Sequence, residues 1–242
     1  MEDCAPRADA STMRRIAPST LVALGILSLV LCLGCADGPF RRLWYYKEWQ
    51  QDEQYGPTYH TRMQEMKALR GSASQYGEEE QARLAKDLND KLAKDTCPSY
   101  RREIVHTLGA LMVPAAMDGL RQAVKDSDPN VRIAACEAWS QRGGEEALRT
   151  LSETVGGDAN LDVRMAATRE LARFRRPEAI RALGVALDDP NPALQYCAVQ
   201  SLKVISGQDL GNNVAAWRQF VREGTAPPVD QPSLVERLRN LF

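Results

Sequence analysis

The chain has 242 residues, with 31 Lys and Arg against 32 Asp and Glu, so its formal net charge at pH 7 is −1. Residues 1–35 contain three basic and three acidic residues, so the balance does not depend on whether they are removed. A chain with so little net charge lacks the basic face that binding to nucleic acid requires. The composition therefore argues against nucleic acid as the main partner.

Near the N-terminus, an uncharged stretch, residues 16–35, follows Arg14 and Arg15. Its continuous apolar part, residues 21–33, is 13 residues long. That length fits the hydrophobic region of a signal peptide and is short for a membrane span. The stretch ends in Gly34-Cys35, which resembles the end of a bacterial lipobox.

The resemblance to a lipobox implies that the cysteine is diacylated on its sulfur and becomes the new N-terminus. We therefore predict that residues 1–35 are a signal peptide and that Cys35 is the lipidation site. The mature chain would then be a membrane-anchored lipoprotein of the bacterial cell envelope, facing the periplasm or the exterior. An uncleaved membrane anchor and a soluble protein are the alternatives.

The next segment, residues 36–77, is rich in aromatic residues between positions 40 and 60. Trp and Tyr favour the headgroup zone of a membrane, so this part could lie close to a bilayer. Aromatic residues also dominate ordinary cores, and we favour packing against the first repeat. A helix is predicted from about residue 58 to 70, with Gly71 and Gly77 as breakers, so that the segment caps the end of the domain that follows.

The stretch 128–139 recurs along the chain at a nearly constant spacing. Arg132 has equivalents at Arg101, Arg164 and Gln195, at intervals of 31, 32 and 31 residues. In each copy, apolar residues at i, i+4 and i+8 predict one face of an α-helix, here called helix A. The aligned positions are Tyr100, Val131, Val163 and Leu194; Ile104, Ala135, Ala167 and Ala198; and Leu108, Trp139, Leu171 and Leu202.

A second predicted helix, called helix B, follows each helix A and has apolar residues at i, i+3 and i+7. The first helix B is expected at about residues 78–94. The last copy is shifted by 34 residues from the one before it, which predicts a small insertion in the loop 205–213. The apolar sets are Ala85, Leu88 and Leu92; Met117, Leu120 and Val124; Leu148, Leu151 and Val155; Ile180, Leu183 and Leu187; and Val214, Trp217 and Val221.

Self-similarity at such a period is typical of a solenoid, in which each helix pair buries its apolar face against the next pair. The stretches DPNVRIAACEAW, LDVRMAATREL and DDPNPALQYCAVQSL resemble the short, Ala-rich HEAT-like repeats of bacterial proteins and bilin lyases. The resemblance covers roughly residues 97–221. We therefore predict an all-α fold, an α-solenoid of about four to five HEAT-like helix pairs, over residues 78–222.

The chain closes, over residues 223–242, with a Pro-rich linker and a short amphipathic helix. Leu234, Leu238 and Leu241 have the i, i+4, i+7 spacing of one apolar stripe. We expect this helix to cover the open end of the last repeat. The alternative is a docking peptide for another protein.

Motifs of catalysis are missing from the sequence, which contains no G-x-S-x-G, no Walker loop and no G-x-G-x-x-G. No catalytic residue, metal site or cofactor is predicted. The two histidines, His60 and His106, stand far apart, and a structural or surface role is expected for His106. Cys136 and Cys197 belong to different A helices, too far apart for a disulfide, and are interpreted as small buried apolar residues.

The arginines at the start of helix A allow two interpretations. A column of arginines could be a binding stripe. The resemblance to HEAT-like repeats instead implies a structural ladder, in which an Asp of the inter-repeat turn pairs with this Arg along the solenoid. Asp128 and Arg132, and Asp162 and Arg164, are the residues predicted to form it, with Gln195 ending it.

The predicted partner surface lies on helix B, because the B helices of HEAT-like solenoids line the concave side. Asp118 interrupts the basic row there. We predict a non-enzymatic, membrane-tethered scaffold or adaptor for protein partners. The alternative is a HEAT-like lyase that attaches a tetrapyrrole chromophore to a carrier protein. The residues beside the core columns that would contact a partner are Arg121, Arg149, Arg181 and Arg218.

Overall fold

The computed structural model describes residues 56–224. The described helices belong to the compact unit that starts at Tyr59. The predicted signal peptide, Cys35, most of the aromatic segment and the C-terminal linker and helix lie outside the described residues.

Within residues 56–224 the secondary structure is helical, with ten α-helices and one 3-10 turn over Ala73–Gln75. The helices are α1 (Tyr59–Ser72), α2 (Glu78–Lys94), α3 (Pro98–Ala110), α4 (Pro114–Ala123), α5 (Pro129–Arg142), α6 (Gly144–Gly157), α7 (Leu161–Leu171), α8 (Pro177–Leu187), α9 (Pro192–Ser206) and α10 (Val214–Glu223).

The helices pack as consecutive pairs, in which an odd-numbered helix A is followed by an even-numbered helix B. Each helix A contacts the next helix A along the array, from α1 to α9. Among the B helices, α2 contacts α4, α6 contacts α8, and α8 contacts α10. The described part is therefore a stack of five helix pairs, and the prediction of an all-α solenoid is confirmed.

Proline and short polar residues set where the helices begin. Proline is in the first turn of five of the helices, where its missing N–H costs nothing and its fixed φ fits. Asp128, Asn160, Asn191 and Asn213 each accept a hydrogen bond from a backbone N–H of the first turn. Such caps satisfy donors that have no partner inside the helix.

The core follows the predicted columns. All twelve aligned positions of helix A are buried, from Tyr100 to Leu202. The central position of each helix B is buried as well, at Leu88, Leu120, Leu151, Leu183 and Trp217. The remaining positions of helix B are buried or partly buried against the same core. The apolar periodicity thus predicted which face of each helix is removed from water.

Neighbouring A helices approach each other closely where their side chains are small. A Cβ atom added to Gly109 of α3 would lie 2.8 Å from the Cβ of Ala138 in α5. Close approach also allows side chains to hydrogen-bond across the step, as Ser201 Oγ does to the carbonyl of Thr168 at 3.0 Å. Small residues in these helices therefore set the spacing of the array.

The end of the first helix differs from the sequence prediction, and the predicted insertion in the last pair has a role in the core. The first helix passes through Gly71, which was predicted to break it, and ends at Ser72. Ser72 Oγ donates to the carbonyl of Ala68 at 3.0 Å, and the 3-10 turn over Ala73–Gln75 follows α1 directly, before α2 begins. In the last pair, the inserted loop returns to the core: Leu210 is buried, and Trp217 Nε1 donates to the carbonyl of Gly211 at 3.0 Å.

Candidate functional surfaces

The arginine column at the start of the A helices forms ion pairs that connect successive repeats. Arg101 makes a two-pronged contact with Asp126, at 2.7 and 2.8 Å. Arg132 does the same with Asp158, at 2.7 and 2.9 Å. Two further pairs, Arg62 with Asp95 and Arg164 with Asp189, extend the row, the latter at 3.4 Å. We call these four pairs the ladder.

The same column also donates to the turn that precedes each helix A. Arg132 Nη1 donates to the carbonyl of Asp126 at 2.8 Å, and Arg164 Nη1 to that of Asp158 at 2.9 Å. Gln195, which replaces the arginine in the last repeat, keeps this bond with Asp189 at 2.8 Å. Arg132 and Arg164 therefore each connect the turn before their own helix A to the turn before the next helix A.

The predicted aspartates of the ladder were wrong. Asp128 caps α5, where its side chain accepts from the backbone N–H of Asn130 at 2.8 Å. Asp162 is exposed in the first turn of α7. The pairing acids stand six residues before the arginine of their own turn, and each pairs with the arginine of the preceding repeat. The stacking of repeats brings that arginine closer than the one nearer in sequence.

Hydrogen bonds decide the ionisation of the ladder acids. Burial alone would raise the pKa of Asp158, but hydrogen bonds from Arg132 and from the backbone N–H of Asn160 outweigh it and leave the pKa below its ordinary value. The pKa of Asp126 is lowered against burial in the same way, by Arg101 and by the backbone N–H of Asp128. Both carboxylates are therefore ionised at neutral pH and charge-assisted acceptors.

Because these pKa values are lower in the folded than in the unfolded chain, the ladder makes stability depend on pH. Its contribution is complete above the unfolded pKa of about 4 and is lost as the pH falls through the lower folded values. We expect denaturant unfolding between pH 5 and pH 2 to show this loss, and Asp158→Asn to show a shallower one. A variant with the unchanged pH dependence of the wild type would contradict the role of Asp158.

The four arginines predicted to meet a partner lie on α4, α6, α8 and α10, in two columns of the repeat. Arg149 and Arg181 directly follow the first apolar position of their helix, and Arg121 and Arg218 directly follow the second. The two columns also differ in their contacts. Arg121 Nε pairs with Glu146 of the next helix B at 2.6 Å, and Arg218 Nε with Asp188 at 2.7 Å. These two connect neighbouring repeats. Arg181 pairs with Glu178 within its own helix at 3.1 Å.

Arg149, by contrast, is exposed and makes no ion pair with any residue between 56 and 224. The row is thus not a uniform set of free cations. Arg149 and Arg181 are the members whose guanidinium groups do not tie one repeat to another.

Among the cavities of residues 56–224, two lie between A helices, a side of the array that the sequence analysis did not single out. The first, of about 340 Å³, is called the charged groove and lies among α1, α3 and α5. Glu103 at its edge is buried and pairs with Arg70 at 2.8 Å. His106 Nδ1 lies 3.8 Å from Glu137, and burial lowers the pKa of His106, so its ring is neutral at pH 7.

The second cavity, of about 380 Å³, is called the apolar groove and lies between α7 and α9. Tyr196 and Val204 on its rim are 57% and 64% exposed. No column of the sequence pattern marks it, because its rim residues, such as Tyr196 and Val204, point away from the core. The lining residues are Met165, Arg169, Ala172, Ala193, Tyr196, Cys197, Gln200, Ser201 and Val204.

Comparison with known families agrees with this architecture. Two overlapping segments, residues 85–169 and 153–216, match the family description HEAT repeats. Together they extend over more than half of the chain. The chain belongs to the HEAT-repeat family. None of the curated proteins compared with it matches.

HEAT repeats form a helical scaffold of the kind that mediates contacts between proteins.

In this HEAT-repeat array the cysteines of the described part are free thiols, with Cys136 and Cys197 buried and Cys97 half-buried. Burial raises the pKa of Cys136 to about 12, so its thiol stays protonated. The interpretation of Cys136 and Cys197 as small buried residues is confirmed.

Among residues 56–224, no group of three or more His, Cys, Asp or Glu side chains is placed to hold a metal ion. In the same range, no helix has the length and apolar character needed to cross a bilayer. His60, on α1, is exposed and shares a hydrogen bond of 2.7 Å with Gln64.

Proposed function

We propose that the protein is a membrane-tethered, non-enzymatic adaptor whose HEAT-repeat array binds a protein partner on the B helices. The observation that carries the proposal is the family's stacked helix pairs, which place equivalent positions of successive B helices in one row. An array of this kind offers an extended surface rather than a pocket.

Arg149 and Arg181 are the residues proposed to contact the partner, and an acidic protein segment is the ligand that fits them. The pair of Arg181 with Glu178 is exposed, and exposed pairs contribute little to stability. A carboxylate of a partner can therefore replace Glu178 at little cost, while Arg149 is exposed and makes no ion pair in the described part. Arginine suits such a ligand because it pairs with carboxylates in a bidentate way.

The tether is proposed on the sequence alone, since Cys35 lies outside the described residues. An apolar stretch of 13 residues and the following Gly34-Cys35 support cleavage before Cys35 and attachment of lipid to its sulfur. The protein would then act at the surface of a membrane of the bacterial cell envelope, facing the periplasm or the exterior. The lyase alternative stays a prediction of the sequence.

The tether is tested by mass spectrometry of the protein purified from membranes. We expect a chain that starts at Cys35 and carries acyl groups on it, and we expect Cys35→Ala to abolish both the acylation and the cleavage. An intact N-terminus with the apolar stretch still present in the wild type would reject the lipoprotein assignment.

The partner surface is tested by reversing the charge of Arg149 and Arg181 together. In-cell crosslinking identifies what binds the wild-type protein, and Arg149→Glu/Arg181→Glu is expected to weaken that capture at least tenfold. Both side chains are exposed, so the helical circular dichroism should not change. Because single surface pairs contribute little to folding, a loss of capture would report on binding.

A matched control is Arg175→Glu/Arg222→Glu, which changes the net charge equally at two other exposed arginines. This control should retain the partner. If both double variants captured the partner as well as the wild type does, the B-helix surface would be rejected. If both lost capture to the same extent, net charge rather than position would decide binding.

A further inference from the structure

The apolar groove between α7 and α9 is an exposed surface that the proposed function leaves unused. Its rim residues Tyr196 and Val204 expose more than half of their area, and Met165 faces them from α7. The equivalents of Val204 in the two preceding repeats are Arg173 and Gln141. At the position of Val204 the outer side of the A helices therefore becomes apolar only in the last pair, whereas the equivalents of Tyr196, Met165 and Ile133, are apolar as well.

Exposed apolar surface of this kind is characteristic of a docking site. We propose that the groove is the seat of a short amphipathic helix and that its occupant is residues 233–242 of this same chain. The sequence of that segment, SLVERLRNLF, places Leu234, Leu238 and Leu241 on one face. Val235 and Phe242 broaden the same apolar face. The segment lies outside the described residues.

The dimensions of the groove and of the segment agree. From Tyr196 to Val204 the rim of α9 extends over eight residues, which is about 12 Å at 1.5 Å per residue. From Leu234 to Leu241 the apolar face extends over about 10 Å on the same scale. An amphipathic helix laid into a groove with anchors at i, i+4 and i+7 is a common mode of recognition.

The linker is long enough to reach the groove. Helices α9 and α10 are joined by a short loop and form an antiparallel pair, so Gly224 lies beside the end of α9 that carries Tyr196. Crossing from α10 to the outer side of α9 requires about 15 Å, the distance between two packed helices plus the radius of one. Residues 225–232, with prolines at three positions, extend over roughly 25 Å in a polyproline conformation.

The open end of the last pair, where the sequence analysis expected this helix, has a cover of its own. Leu210 of the inserted loop is buried in the same core cluster as Leu202 and Trp217. The apolar groove has no such cover among residues 56–224. The groove therefore offers the C-terminal segment exposed apolar surface to bury, and this contact is separate from the partner surface on the B helices.

The test is photo-crosslinking in the full chain. The photoreactive amino acid p-benzoylphenylalanine replaces Tyr196, and in a control it replaces Val185, an apolar residue of α8 that is 51% exposed. Irradiation of the first protein should give a species of monomer mass in which position 196 is joined to a peptide within residues 233–242. The protein with the probe at position 185 should not give it.

Two substitutions in the segment complete the test. Leu238→Asp places a charge on the apolar face and should reduce the crosslink at least tenfold, whereas Asn240→Asp adds the same charge on the opposite face and should leave the crosslink unchanged. A crosslink found only at dimer mass would assign the groove to a second copy of the chain and overturn the proposal. No crosslink to residues 233–242, or an equal one from position 185, would also overturn it.

Discussion

Replacing Leu151 by Asp is expected to unfold the repeats around it. Leu151 occupies the central position of α6 and is completely buried between its neighbours. A carboxylate at this position would lose its hydration without gaining a partner, at a cost of several kcal/mol, on the order of half the stability of a typical domain. Since each repeat buries its apolar face only against adjacent repeats, the loss should extend to α5, α7 and α8.

The measurement is thermal unfolding followed by circular dichroism, together with amide hydrogen exchange for the location of the unfolded part. Val185→Asp serves as the control, because Val185 is exposed on the neighbouring helix B and its replacement should change stability little. If Leu151→Asp melted at the same temperature as the wild type, that result would contradict the packing of Leu151 in the core.

The second large effect is expected at the ladder, where Asp158→Ala should cost about 2–4 kcal/mol, approaching what is seen for a buried ion pair with one partner removed. Only 16% of the Arg132 side chain and 9% of the Asp158 side chain are exposed, so water can replace the lost carboxylate only in part. The variant also removes the acceptor of the backbone N–H of Asn160.

A double-mutant cycle separates the pair from the individual residues. Arg132→Met combined with Asp158→Ala should cost less than the sum of the two single changes, because neither charge is then left alone. Asp162→Ala is the control, since Asp162 is exposed and outside the ladder. Denaturant unfolding measures all four variants. A larger loss from Asp162→Ala than from Asp158→Ala would contradict the pairing seen in the structure.

In the ladder, the sequence predicted the arginine column but not the acids that pair with it. The recurrence of Arg101, Arg132 and Arg164 was visible, as was their position at a helix start. The acids chosen for them, Asp128 and Asp162, were the nearest in sequence. The true partners also recur, at Asp95, Asp126, Asp158 and Asp189, with intervals of 31, 32 and 31 residues. That regular spacing was a signal that the sequence analysis did not use.

The partner surface shows a similar limit. Equivalent positions on the B helices could be aligned from the repeat, and Arg149 is exposed as expected. Arg121 is occupied by Glu146 of the next repeat, and Arg218 by Asp188 of the preceding one. The arginines that remain available for a partner therefore depend on acids of neighbouring repeats. Neither groove on the A helices was predicted, because each is formed by side chains of successive A helices, whose spacing is decided by the packing.

The sequence by itself determined the helices, their pairing and the buried face of each, since a helix has 3.6 residues per turn and a repeat must bury the same face in every copy. Residues such as Leu120, Leu151 and Leu183 were assigned correctly for this reason. Only the tertiary structure decided which charges meet and where cavities open. Those outcomes depend on distances between side chains about 25 to 33 residues apart, and the packing of neighbouring helices sets these distances.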